Sequence, residues 1–164
     1  MMAGWRRRKS AAAAGVAALL LVVAALPGRV AGATNEQIVC DEHTGLAISG
    51  YDPVAYFADA QARPGLPSLE RGQSGVVWRF RNEGNRAAFA RDPEVYMPQF
   101  GGYDPVAIAR GASVPGHPEL WLVIDSRLYL FYDAKARAAF AAEPARYRAE
   151  AERNWPQVRR QLAR

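Results

Sequence analysis

The chain opens on a block of one character. Arg6-Arg7-Arg8-Lys9 gives way to an unbroken run of small and apolar residues, Ala11–Leu26, which Pro27 and Gly28 end before Ala31-Gly32-Ala33. A basic start, an apolar middle and a small-residue close predict a secretory signal peptide over residues 1–33, cleaved after about Ala33. The apolar run is shorter than the roughly 20 residues of a comfortable membrane span, so contact with a membrane is expected only through this segment, if it stays uncleaved. Beyond it the pattern turns to alternation. In Val76-Val77-Trp78-Arg79-Phe80-Arg81 the residues Val76, Trp78 and Phe80 share one face and Arg79 and Arg81 the other, which predicts a half-buried strand. A weaker strand near Ser68–Arg71 precedes it across Gly72-Gln73-Ser74-Gly75, and Leu120–Ile124 and Leu128–Tyr132 flank Asp125-Ser126-Arg127 as a second hairpin. An Ala-rich helix follows each hairpin, anchored by Phe89 or Phe140. Asp92-Pro93 and Glu143-Pro144 stop these helices, because the residue before proline resists helical ψ. Pro144–Trp155 is predicted helical, with Pro156 starting a last helix.

The pattern also repeats. Gly50-Tyr51-Asp52-Pro53-Val54-Ala55 returns letter for letter as Gly102-Tyr103-Asp104-Pro105-Val106-Ala107, an offset of 52. At that offset Val76–Arg81 faces Leu128–Asp133; with one residue dropped, Arg86-Ala87-Ala88-Phe89-Ala90 matches Arg137-Ala138-Ala139-Phe140-Ala141, and Asp92–Tyr96 matches Glu143–Tyr147. Four blocks in order predict a tandem duplication. The expected fold is α+β: a small antiparallel sheet from two β-hairpins, helices packed on one side, and an internal tandem repeat of about 52 residues sharing one core, since neither unit buries enough alone. The boundaries are an N-terminal segment at 34–49, one unit at 50–101 and a second at 102–164 with the C-terminal helices, all in one domain. Trp78, Phe80, Phe89, Tyr96, Leu128, Leu130, Phe140 and Tyr147 are the expected core. Asp52 and Asp104, each before a proline, are expected as helix N-caps.

Charge narrows the function classes. The formal net charge is +5, but Arg6, Arg7, Arg8, Lys9 and Arg29 stand in a leader without acids. The body is neutral, which argues against a nucleic-acid partner. A single cysteine excludes an internal disulfide framework and any multi-thiolate metal cage within one chain.

The order of motifs then becomes specific. Gly45–Phe57, Pro98–Tyr103, Leu128-Tyr129-Leu130, Asn154-Trp155-Pro156 and the run Phe89-Ala90-Arg91-Asp92-Pro93-Glu94-Val95-Tyr96 resemble the exported, stand-alone branch of the YHS domain family, from about Gly45 to Pro156. That resemblance implies the fold and a binding or accessory role. Compact members attached to metal transporters carry thiols after Asp-Pro-Val and in a Phe-Cys-Ser-x-x-Cys run. Here Ala55, Arg81 and Asn85 stand at those positions, and Ala107, Asp133 and Ala136 in the second copy. Soft thiolates would select Cu(I) or zinc, whereas arginine coordinates no cation, so no cofactor is expected at these positions.

Two further constellations carry chemistry. Cys40-Asp41-Glu42-His43 reads either as an exposed polar tail or as part of a copper or zinc site using Cys40 and His43, completed by His117 if its loop folds back. Tyr51, Tyr56, Tyr103 and Trp121 read either as core or as the lining of a small-molecule cleft between the copies. Catalysis is not expected: Ser49, His43, Asp52 and Asp104 form no recognisable nucleophile motif. The reading is an exported, periplasmic or secreted, YHS-type binding or accessory module without catalytic activity, whose partner is a small molecule or a protein. The alternative is a periplasmic metal-handling protein.

Overall fold

Proline, glycine and aspartate punctuation sets the element order. The computed structural model describes residues 37–162, so the leader lies outside the described residues. A 3₁₀ turn at Ile48–Gly50 leads to the short helix α1 (Ala55–Ala58), the strands β1 (Leu66–Gln73) and β2 (Val76–Phe80), and the helices α2 (Glu83–Arg91) and α3 (Pro93–Tyr96). A second 3₁₀ turn, Gln99–Gly102, leads to α4 (Pro105–Ile108), β3 (His117–Ile124), β4 (Arg127–Phe131), α5 (Ala134–Ala142) and α6 (Pro144–Leu162). The fold is α+β. Among the described residues no helix is long and apolar enough to cross a membrane.

Local chemistry accounts for the boundaries. Both hairpins turn on two residues in the left-handed region, Ser74-Gly75 (φ 55 and 80) and Asp125-Ser126 (φ 50 and 57), which matches the twist of the flanking strands. Both ladders slip once, between Leu66 and Glu70 and between His117 and Trp121. Asn82 and Asp133 cap α2 and α5, each side chain accepting a hydrogen bond from the amide three residues on. Gly65 and Gly116 precede the strands where a Cβ would come within 2.5 Å of the Arg79 carbonyl carbon or 2.6 Å of Leu130 Cβ. No side chain fits there.

The strands correspond one residue away from the expected alignment. Gln73 pairs with Val76 and Ile124 with Arg127, so Trp78 answers to Tyr129 and Phe80 to Phe131, and not to Leu130 and Tyr132. The connection from the Asp-Pro turn to the hairpin is one residue shorter in the second half, so the residue is lost before the strands. A slip of one residue exchanges the faces of a strand, which explains two omissions from the expected core. Tyr129 and Phe131 are fully buried against Phe140 and Tyr147, while Leu128 and Leu130, also fully buried, join Trp78, Phe80 and Phe89. Tyr96 is only half-buried, with its ring edge-on to Phe57 at 5.5 Å.

The hairpins form two two-stranded sheets and not one. The edge of β2 that faces away from β1 is already occupied. Ala47 donates to the Val77 carbonyl at 2.8 Å and Val77 donates to the Gly45 carbonyl at 3.0 Å. The hairpins therefore meet through side chains: β4 is covered by Phe140 of α5 on one face and by the first half's aromatic core on the other, so helices do not lie on one side only.

The expected break at Pro156 is absent, and α6 runs unbroken from Pro144 to Leu162. Pro156 removes one helical hydrogen bond, but Ala151 before it and Val158 after it are both buried with Tyr103 and Ile108, which holds the two arms in line. Asn154 donates to the carbonyls of Ile108 and Ala109, closing the end of α4.

Candidate functional site

One buried carboxylate organises each Gly-Tyr-Asp-Pro turn. Asp52 accepts from the Val54 amide at 2.8 Å through one oxygen; through the other it accepts from the Arg81 amide at 2.8 Å and Asn85 Nδ2 at 2.7 Å. Asp104 accepts from the Val106 and Ala107 amides and, across the fold, from the Tyr132 amide at 2.9 Å. Asp104 is the N-cap of α4, as expected. Asp52 is not a cap, because α1 begins at Ala55 with Val54 preceding it; it holds its own turn and ties that turn to the end of β2. Every oxygen of both carboxylates accepts at least one structural hydrogen bond.

These bonds involve the three positions that the resemblance matched to thiols. Arg81 and Asn85 both reach Asp52, and the buried Ala55 donates its amide to the Asp52 carbonyl. In the second half the residue answering to Arg81 is Tyr132 and not Asp133, which is the cap of α5. In the first half Asp52 thus ties Ala55, Arg81 and Asn85 together.

The segment around Cys40 is only partly a tail. Val39 donates to the Gly101 carbonyl at 2.8 Å, Ile48 donates to the Val39 carbonyl at 3.0 Å, and Cys40 bridges Ala47, so Ile38 to Cys40 is threaded between the halves. Only Asp41–Thr44 stands exposed, folded around the Asp41 carboxylate. Hydrogen bonds from the Thr44 hydroxyl and amide hold that carboxyl below its usual range. His43 is exposed, and His117 begins β3 with its Nδ1 accepting from the Glu119 amide. Among the described residues no three His, Cys, Asp or Glu side chains are grouped to hold a metal ion, so Cys40, His43 and His117 do not form the trio of the alternative metal reading.

Of the four aromatic residues read as core or as cleft lining, Tyr56 and Trp121 line one cleft, and Tyr51 bonds across the same junction without lining it. Tyr56 meets Trp121 edge-on with centroids 5.3 Å apart and donates its hydroxyl to the Pro118 carbonyl at 3.0 Å; Tyr51 donates to Glu119 at 2.9 Å. The bond to Glu119, with burial second, raises the Tyr51 phenol above its ordinary pKa. Burial, with Tyr51, Asp52 and Glu119 nearby, raises the Tyr56 phenol much further. Tyr103 lies elsewhere, with its ring near Trp155, and it lines a separate hollow beside Cys40.

Around Tyr56 and Trp121 opens a cleft of about 610 Å³. Tyr56, Phe57 and Ala60 of the first half form one wall. Trp121, Val123 and Ser126 of the second hairpin form the other, and Arg137 of α5 stands at it. The volume is in the range of small-molecule sites. Ala60 holds the left-handed conformation (φ 51), and the corresponding Gly111 does so at φ 80 without a side chain. A cost of about 1 kcal/mol is thus accepted where a methyl group contributes to the cleft wall. Phe57, Ala60, Ser126 and Arg137 were not singled out by sequence. Arg137 had a signal in the repeat blocks, since it aligns with Arg86.

Comparison with family models, with curated proteins and with solved structures returns no match to this chain.

Proposed function

We propose that the chain is an exported, non-catalytic binding or accessory module of the YHS type, built by tandem duplication, which holds a small molecule in the cleft between α1 and the second hairpin. The observation that carries this reading is the cleft itself, with walls supplied by both halves and aromatic rings at its base. Duplicated turns, ladder slips and caps at matching places support the duplication, and the leader pattern supports export. The non-catalytic reading takes Asp52 and Asp104 as structural, since each of their oxygens accepts a hydrogen bond that holds the fold.

Native mass spectrometry of the protein recovered from the compartment to which it is exported tests this. The wild type is expected to retain a small-molecule mass that Trp121→Ala loses. A mass held equally by both proteins places the ligand elsewhere.

A further inference from the structure

The two halves treat the same groove differently. Between β1 and α2 a hollow is lined by Glu70, Arg71, Glu83 and Arg86. Arg86 pairs there with Glu83 at 2.7 Å, and Glu70 pairs with Arg79 outside it at 2.7 Å, while Arg71 has no ion pair among the described residues. At the corresponding positions of the second half, Trp121 replaces Glu70, Leu122 replaces Arg71 and Leu130 replaces Arg79. Trp121 and Leu122 make the groove apolar, while Leu130 is buried in the core and removes the partner position of Arg79. One cation is kept, because Arg137 answers to Arg86, yet Ala134 now stands where Glu83 stood. Among the described residues no carboxylate forms an ion pair with Arg137.

An apolar cleft with one uncompensated guanidinium at its wall has the chemistry of an amphiphile site. Resting on the reading of this cleft as a binding site, we propose that its ligand is an amphiphile with an oxyanion head, a carboxylate, which meets Arg137 while its hydrocarbon part lies against Tyr56, Phe57 and Trp121. The planar guanidinium fork matches a carboxylate with two parallel hydrogen bonds. Ser126 lines the same cleft and offers a hydroxyl. The hydrocarbon supplies the affinity through buried area. The head group supplies selectivity, and because Arg137 is exposed its contribution is modest and sensitive to salt.

Calorimetric titration of the mature protein with decanoate, decanol and decyltrimethylammonium, each below its micelle concentration, tests the proposal. Decanoate is expected to bind about fivefold more tightly than decanol, the upper end for an exposed ion pair, and the preference should shrink as salt is added. Arg137→Gln should bring decanoate down to the level of decanol and leave decanol unchanged. Ala134→Glu, which restores the partner seen at Glu83, should do the same without altering the cleft wall. Equal binding of decanoate and decanol by the wild type, tighter binding of the ammonium, or a preference that survives Arg137→Gln would overturn the carboxylate assignment while leaving the cleft in place. Failure of both decanoate and decanol to bind, or binding unchanged by Trp121→Ala, would instead overturn the cleft.

Discussion

The ring of Tyr56 meets that of Trp121 edge to face, 5.3 Å between centroids, and this contact joins α1 of the first half to β3 of the second. Aromatic pairs of this geometry contribute about 0.5–1.5 kcal/mol beyond their buried area. A double-mutant cycle with Tyr56→Leu and Trp121→Leu, followed by urea denaturation, should return a coupling in that range. Additive losses would show that the rings pack independently.

The same junction predicts an alkaline limit to stability. The phenols of Tyr51 and Tyr56 titrate above their ordinary value of 10.0 in the folded chain, the first through its bond to Glu119 and the second through burial. Unfolding returns both to the ordinary value, so the stability they contribute is complete below pH 10.0 and is lost as pH rises through the folded values. Melting temperature should fall above that pH in the wild type and fall less steeply in the Tyr51→Phe/Tyr56→Phe variant. Parallel curves would contradict this.

Asp52 should be essential to the fold in a way no metal can replace. Asp52→Ala strands the amides of Val54 and Arg81 and the side-chain amide of Asn85. A loss of about 2–4 kcal/mol is expected, from one buried and two part-buried donors left without their partner. Added zinc or Cu(I) should not restore stability; rescue by either would mean that the site takes a cation.

Gly111 and Ala60 share one backbone conformation and predict opposite responses. A Cβ at Gly111 meets nothing within 4 Å, so Gly111→Ala carries only the left-handed cost and should destabilise by about 1 kcal/mol. Ala60→Gly relieves that cost and should stabilise by about 0.5–1 kcal/mol, while weakening binding in the cleft through the loss of a wall methyl. A destabilised Ala60→Gly would show that its methyl packs more than it strains.

Much of the fold was legible because the relevant signals are local. Alternation in Val76–Arg81, the cap Asp104 before Pro105, and the stops at Pro93 and Pro144 each act within a few residues. What escaped depends on what lies across the fold. The face exchange in β4 follows from one residue missing upstream, and the burial of both its faces from the neighbouring half. Continuity through Pro156 follows from Ala151 and Val158 packing with Tyr103 and Ile108. In the cleft, the large aromatics Tyr56 and Trp121 were visible in the sequence. Arg137 was not, because its significance lies in the absence of a glutamate at Ala134.

The most direct measurement is a map of amide chemical shifts on the ¹⁵N-labelled protein titrated with decanoate and, separately, with decanol. Saturable shifts are predicted at Tyr56, Phe57, Ala60, Trp121 and Ser126 with both probes, and at Arg137 chiefly with decanoate. Shifts centred instead on Cys40 and Tyr103, or no saturable shifts with either probe, would contradict the assignment of this cleft as the binding site.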